Sequence, residues 1–482
     1  MYDAAVMGRA WKLWLAVLVL LGLAGGLVVW RQRQPLVAVA LDPAMAALGH
    51  PKRTVTLRLR ASAGRLKSLE ALVIQAGPPR PVLTEEFPAG APREAERPLT
   101  LDAGALGLTE GPAELHVFAR DTVWRPRPDP RPRLVHRFTV DLTPPTLELR
   151  TATGYLKHAG AGIVVYRVAG VTRSGVQVGA ELFPGTAGLT QDPAVHVALF
   201  TIPWNGAQIP PSLVAEDEAG NQRVIGVPVT FLPTRFPKDT LHLTEAFLQR
   251  KVPELAPQTP GTASGGELLE AFLKVNRAGR KAAEAKIREV ARTGSAPKPL
   301  WQGVFRQQPN TKVFANFPEE RTYTFDGRVV DSQWHLGIDL ASRKQSPVEA
   351  SNAGRVAFTG PNGIYGNIVV LDHGLGLSTL YGHLSEIAVK VGQTVAKGEM
   401  LGRSGETGLA GGDHLHFAVL IHGVYTSPLE WWDEHWIRDR IAKPLAEAGI
   451  TVAGITDGAL TPVATPSAPP PKPRAARSPR GR

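Results

Sequence analysis

DHLHF, residues 413–417, read as an extended strand, sends His414 and His416 out from one face and turns Leu415 and Phe417 into the core, because alternate side chains of a strand point the same way. One strand thereby presents two imidazoles to one site. HLGID at 335–339 and YGHL at 381–384 precede it in the same β-rich segment, and seven of the 13 histidines fall between 335 and 435, about a fifth of the chain. The frame around them is glycine-rich, with Gly354, Gly366, Gly374, Gly392, Gly398, Gly405 and Gly408. A catalytic zinc takes three protein ligands from histidine and carboxylate and leaves a fourth position for water, and this segment offers such a set. Each motif alone is weak, since alternation produces HxH by chance in any sheet; their joint order is what points to chemistry. His373, His422 and His435 read as ordinary core or surface residues. NIVVLDH at 367–373 and GLSTLY at 376–381 read as two strands around a short turn, a hairpin that delivers His383 just after its second strand.

Composition narrows the metal chemistry further. Cysteine is absent from the 482 residues, which excludes disulfides, thiol nucleophiles, Cys-ligated zinc, iron–sulfur clusters and c-type haem attachment. Any metal sits on histidine and carboxylate. The net charge of +11 would suggest a nucleic-acid partner, but its location argues otherwise. Residues 1–33 hold Arg9, Lys12, Arg31 and Arg33 against Asp3, and 472–482 hold Lys472, Arg474, Arg477, Arg480 and Arg482 without an acid, leaving about +3 for everything between. No nucleic-acid partner is expected.

Working outward toward the N-terminus, residues 238–292 read as a helical connector: Ser264 and Glu267 fit a capping box, and Leu268, Leu269, Phe272, Val275, Ala283, Ile287 and Val290 follow at one-face spacing. An earlier run from Leu241 to Leu248 is expected to stop before Pro253. Position alone makes this connector a candidate autoinhibitory element over the groove. Between Leu36 and Leu232 short alternating runs such as TVTLRLRA at 54–61 and GIVVYRVAG at 162–170, broken by proline and glycine, argue two β-rich modules, 36–142 and 143–235. The TPP junction at 143–145 and AEDEAGNQ at 215–222 resemble bacterial immunoglobulin-like sandwich modules. The proline-rich RPRPDPRPR at 125–133 has to be a loop or an edge. Leu13 to Trp30 is 18 residues without a charge, with Trp11, Trp14 and Trp30 at its ends; at about 1.5 Å per residue it matches the hydrocarbon thickness. It reads as an uncleaved transmembrane anchor at 13–30 after a cytoplasmic 1–12. A signal peptide is the rival reading, but no small-residue cleavage site follows Trp30. Past residue 455 the basic, proline-rich tail to 482 has no apolar periodicity and is expected to be disordered.

With these residues in place, 334–430 resembles the catalytic domain of the lysostaphin-type (LytM-like) zinc metallopeptidases, which cleave peptide cross-links of bacterial peptidoglycan. The resemblance covers about a fifth of the chain. It implies an antiparallel β-sheet domain, here 300–440, with one Zn²⁺ held by His335, Asp339 and His416. It also implies His383 and His414 as the catalytic pair that orients and deprotonates a metal-activated water, without saying which is the general base. Tyr365, in the glycine-flanked YGN stretch, is either a groove residue that touches substrate or a packing tyrosine. Ala418 departs from the acid many relatives carry after HLHF, a change confined to the surroundings of the ligands.

The expectation is a mainly β, membrane-anchored peptidoglycan endopeptidase of the inner membrane, its bulk on the periplasmic side. The two modules would act as stalk and spacer, and a cell-wall or divisome-type protein is a candidate partner. The alternative is a catalytically inactive or autoinhibited member acting as scaffold or activator of another cell-wall hydrolase.

Overall fold

The structure, a computed structural model, describes residues 4–261 and 267–457. The expected disordered tail from 458 onward and the expected cap Ser264 lie outside the described residues. The chain divides into two compact units. The first comprises the described residues up to Leu147 with Val168–Ser174 and Val214–Val224. The second comprises Glu148–Arg167, Gly175–Leu213 and the described residues from Ile225 onward.

The first unit opens on the helix Ala4–Gln32. Its stretch Trp14–Gln32, 19 residues, is long and apolar enough to cross a membrane, and none of it is buried within the protein. The strand Arg53–Arg60 then buries Val55, Leu57 and Leu59 and turns Thr54, Arg58 and Arg60 outward, the two-residue period of a sheet with one wet face. It lies between Ala38–Asp42 and Glu94–Leu101 in a three-stranded antiparallel sheet. A five-stranded sheet runs Ala47–Leu48, Leu134–Val140, Gly111–Asp121, Leu66–Ile74, Arg80–Glu86. The two sheets share one core, in which Leu57, Leu69, Leu115, Val117 and Val140 are wholly buried.

In the second unit, Lys238–His242 is a strand, where a helix was expected from 238. It pairs in parallel with Glu319–Phe325, so the free edge of an existing hairpin takes up its backbone groups. The helix Glu245–Leu255 begins on Thr244, whose hydroxyl accepts the Phe247 N–H at 3.2 Å. It also runs through Pro253, where a break was expected. Pro253 stands in the last turn, so only one intrahelical bond is lost, and the buried Leu248, Val252 and Leu255 hold both sides of it. Leu268–Lys274 and Arg280–Arg292 follow, joined by a π-helical turn over Val275–Gly279. These helices are fastened to loops of the C-terminal sheet. Lys251 Nζ donates to the Glu406 carbonyl at 2.5 Å, the Gly408 N–H donates to Glu254 Oε1 at 2.8 Å, and Asn362 Nδ2 donates to the Ala283 carbonyl at 3.1 Å.

The C-terminal sheet has the strand order Lys312–Ala315, Ile338–Ala341, Leu415–Ile421, Leu377–Leu384, Asn367–Gly374, Gly354–Pro361, Thr394–Val395 along its main path, with Val424–Thr426 paired to Leu415–Ile421. Its strands Asn367–Gly374 and Leu377–Leu384 are buried along nearly their whole length, so both faces are covered. Trp301, Phe305 and Trp431 close one side, their ring centroids 5.4–5.8 Å apart.

Next to Trp431, Glu430 is a buried carboxylate that accepts the Ala161 N–H at 2.8 Å. Burial pushes its pKa up to about 7, against the pull of that bond and of Lys157 and Arg440. The folded state therefore holds a proton that the unfolded chain releases near 4.5, and the stability linked to this group falls as pH rises from about 4.5 through 7. Glu430→Gln keeps the acceptor and removes the charge. Its expected result is a gain of about 3 kcal/mol at pH 8 that vanishes near pH 4, read from urea unfolding at the two pH values.

Candidate active site

Three adjoining strands build the site. Ile338–Ala341 and Leu415–Ile421 pair antiparallel with Asp339 opposite His416, and Leu377–Leu384 pairs on the other side of Leu415–Ile421 with Gly382 opposite His416. His335 ends the strand Arg328–His335, which turns through Leu336 and Gly337 into Ile338–Ala341. His335 Nε2 then lies 2.9 Å from Asp339 Oδ1 and 3.0 Å from His416 Nδ1, and His416 Nδ1 lies 3.0 Å from Asp339 Oδ1. All three side chains are buried, and their ligand atoms form a single group.

Hydrogen bonds fix what these atoms carry. His335 Nδ1 is 2.9 Å from the Asn316 carbonyl, which can only accept, so Nδ1 bears the proton and Nε2 turns a lone pair to the centre. Two acceptors, His335 Nε2 and Asp339 Oδ1, thus face each other at 2.9 Å with at most the His416 Nδ1 proton between them. His416 Nε2 is buried with no hydrogen-bond partner among the described residues. If the proton sits there, three lone pairs converge. A tetrahedral cation with ligand bonds of about 2.0–2.1 Å spaces its donors about 3.3 Å apart, close to the spacing here. The residues present fit a divalent cation. Asp339 feels the same crowding: burial alone would raise its pKa, yet His335, His414 and His416 around it hold it well below the usual carboxylate range.

Gly337 explains the middle of HLGID. A Cβ there would stand 2.4 Å from His416 Nε2 and 2.8 Å from the Phe417 carbonyl. Gly337→Ala is therefore expected to displace the His416 ring and weaken metal binding about tenfold or more, with a stability loss of about 1–3 kcal/mol, read by calorimetric zinc titration and thermal unfolding.

Asp339 Oδ2, the oxygen turned away from His335, accepts from Arg321 at 2.9 Å, and Arg321 Nε is held by Glu319 Oε1 at 3.1 Å. Sequence reading missed both residues. EERTYTF and RVVDSQWH flank Asp326 and Gly327, a two-residue hairpin turn that signals the hairpin, but a bulge between Tyr323 and Thr324 shifts its register by one residue, and only that shift sets Glu319 opposite His335. Arg321→Met frees Asp339 to rotate, with an expected 10–100-fold loss of zinc affinity in a competition titration.

His383 and His414 stand beside this group, their ring centroids 4.7 Å apart. His383 does not follow its strand as expected but lies within Leu377–Leu384, at φ +61°. His383 Nδ1 donates to the Thr407 carbonyl at 2.8 Å and His414 Nδ1 to the Gly412 carbonyl at 2.8 Å, which leaves Nε2 of each ring free of those carbonyls, that of His414 3.5 Å from Asp339 Oδ1. Burial, reinforced by His414 and His416, pushes His383 well below its ordinary pKa. For His414 burial works in the same direction, but the Asp339 carboxylate overrides it and raises the pKa.

All five residues line a cavity of about 560 Å³. Part of its wall comes from residues far upstream: Leu241, Leu243, Phe247 and Arg280. The segment 238–292, expected from its position to be a candidate autoinhibitory element, thus contributes to the wall of the groove. Tyr365 is buried and also lines the cavity, its ring centroid 5.2 Å from that of His416. Burial, with the Glu284 carboxylate alongside, raises its pKa above the ordinary phenol value. His373 is a core residue between the Ala353 carbonyl and the Thr379 hydroxyl, at 2.7 and 2.8 Å. His422 packs on Phe183, and His435 is exposed beside Asp433.

Residues 333–428 match the family model described as Peptidase family M23. The chain is similar to the peptidoglycan DD-endopeptidase ShyA of Vibrio cholerae, 37% identical over 125 residues, 25% of this chain and 28% of that protein. It is also similar to the DD-carboxypeptidase/endopeptidase Mpg of Neisseria meningitidis, 42% identical over 95 residues, 20% of this chain and 22% of that protein. The catalytic domain of the antimicrobial peptidase lysostaphin from Staphylococcus simulans shares 28% identity, with 26% of this chain and 92% of that chain covered at a TM-score of 0.22. The chain spans about a quarter of the length of the curated relatives it matches. The C-terminal part of this chain carries a Peptidase family M23 domain.

Proposed function

We propose that this chain is a membrane-anchored zinc endopeptidase that hydrolyses peptide cross-links of bacterial peptidoglycan. The observation that carries the reading is the convergence of His335 Nε2, Asp339 Oδ1 and His416 Nδ1 within 3.0 Å of one another on the wall of an open cavity. The M23 family is metal-dependent, and a two-histidine, one-carboxylate set without thiolate suits zinc. Zinc supplies Lewis acidity toward a carbonyl oxygen and a lowered pKa for water. The chain's own residues do the rest. His383 and His414, each locked by its Nδ1 hydrogen bond, offer Nε2 to accept the proton of an attacking water and to donate toward the oxyanion that develops on the scissile carbonyl. Tyr365 borders the groove where the peptide would lie.

In this reading 13–30 anchors the chain in the inner membrane with its bulk in the periplasm. The β-rich modules, taken as immunoglobulin-like, serve as stalk and spacer, and the helical segment 238–292 walls the groove. A divisome-type or cell-wall protein is a fitting partner. The scaffold alternative is not favoured, because no position of the metal-binding or catalytic set is lost. The test is zinc content and digestion of cross-linked muropeptides by the full-length protein in detergent. About one zinc per chain with release of cross-links is expected, and a protein that binds no divalent metal overturns the reading.

A further inference from the structure

The RPRPDPRPR loop has no part in hydrolysis, yet it is tied to the end of the N-terminal helix. Gln32, the last helical residue, donates through Nε2 to the Arg127 carbonyl at 2.9 Å and accepts the Arg127 N–H through Oε1 at 3.1 Å. Arg125 donates to the Pro35 carbonyl at 3.1 Å while Asp121 grips its guanidinium at 2.7 and 2.9 Å. The loop is therefore pinned at two points beside the residues where the apolar helix ends. Pro126, Pro128, Pro130 and Pro132 remove donors and fix φ, which keeps the segment stiff and outside the neighbouring sheet.

Its charges divide into two sets. Asp129 binds Arg131 at 2.9 Å and Arg133 at 3.3 Å, so those two are compensated locally. Arg33 and Arg127 have no acid within ion-pair distance among the described residues, and Arg31 lies over the Trp30 ring at 5.5 Å. Two large aromatics stand in the open at this level, Trp124 at 63% exposure and Trp30 at 56%. Unpaired arginines and exposed tryptophans beside the end of an apolar helix have the chemistry of a headgroup layer: indoles settle at the interface and guanidiniums seek lipid phosphate.

We propose that residues 122–133, with Arg31 and Arg33, form a second membrane contact, a collar that lies on anionic phospholipid headgroups where the helix leaves the bilayer. The collar rests on the anchor reading of 13–30. It would fix the tilt of the first β-rich unit on the membrane, which a single helix joined to that unit through a short segment would leave free.

The absence of cysteine allows a direct test. Full-length protein carrying Pro126→Cys, or Leu21→Cys as the depth reference, is spin-labelled and reconstituted in phosphatidylcholine alone or with about one third phosphatidylglycerol. The label at 126 is expected at headgroup depth in the anionic bilayer, about fivefold or more shielded from a water-soluble nickel chelate relative to the neutral bilayer. About 1 M salt should remove that difference, as should Trp124→Ala combined with Arg33→Glu and Arg127→Glu. A label at 126 that is equally aqueous in both lipids, while the label at 21 reads hydrocarbon, overturns the collar and leaves the anchor standing. An aqueous label at 21 overturns the anchor, and the collar with it.

Discussion

His416→Ala is expected to remove bound metal from the full-length protein and to abolish cross-link hydrolysis, with far-UV circular dichroism unchanged from the wild type. His416 Nδ1 is one of three mutually adjacent donor atoms, 3.0 Å from each of the other two. Two protein ligands hold zinc far more weakly than three, and what is lost with the ion is several kcal/mol of transition-state stabilisation, on the order of 10³-fold or more in kcat/KM. The substitution also leaves a hole beside Gly337 and Tyr365, so a lower melting temperature is expected. Asp339→Asn separates the two effects. It preserves shape and an acceptor for Arg321 but replaces an anionic donor with a neutral amide, so metal should be lost without the hole that His416→Ala leaves, the remaining loss of stability being that of the Asp339 charge among its buried cationic neighbours. Full zinc occupancy in both variants would show that the ion is held elsewhere.

Some of this site can be read in sequence because it depends on short periods. Within DHLHF, alternation sets His414 and His416 on one side of a strand whose other residues are core, and the structure buries Leu415 and Phe417 at 2% exposure each. The four-residue step from His335 to Asp339 has a less obvious cause. The chain turns at Leu336 and Gly337, and a glycine is needed because the His416 ring fills the place of a side chain. Arg321 was not legible: the Asp326-Gly327 turn announces the hairpin, but a bulge between Tyr323 and Thr324 shifts its register by one residue before Arg321, and no local pattern marks that shift.

The groove wall was not legible. Leu241, Leu243, Phe247 and Arg280 reach the cavity through tertiary docking, with Lys251 on the Glu406 carbonyl and Glu254 on the Gly408 N–H, and no local pattern in 238–292 encodes those partners. For the same reason Lys238–His242 took a sheet edge rather than a helix, and Pro253 was tolerated in a last turn whose neighbours are buried. Backbone pairing at a free edge decided the first against local propensity, and burial of the neighbouring residues the second.

His383 offers the sharpest separation of activity from stability. It is a non-glycine residue at φ +61°, a backbone conformation that costs about 1 kcal/mol or more and persists where surrounding structure enforces it. The enforcement is visible: its Nδ1 is bonded to the Thr407 carbonyl, and its ring packs 4.7 Å from His414 and 5.8 Å from His416. His383→Gly deletes the imidazole and relieves the backbone together, so the loss of packing and the gain in freedom offset, and folding stability should change by no more than about 1 kcal/mol. Metal content should stay near wild type, because His383 is outside the three-atom group. Hydrolysis should nonetheless fall about 10²–10⁴-fold, carried by kcat with KM little changed, as expected for a group that moves a proton or bonds the oxyanion only in the transition state. His414→Ala should give a loss of similar size with metal retained. Since both imidazoles would serve one transition state, the double variant should be far less impaired than the product of the two single losses. Multiplicative losses would mean that the two histidines act in separate steps, and a His383→Gly enzyme with unimpaired kcat would remove His383 from the chemistry altogether.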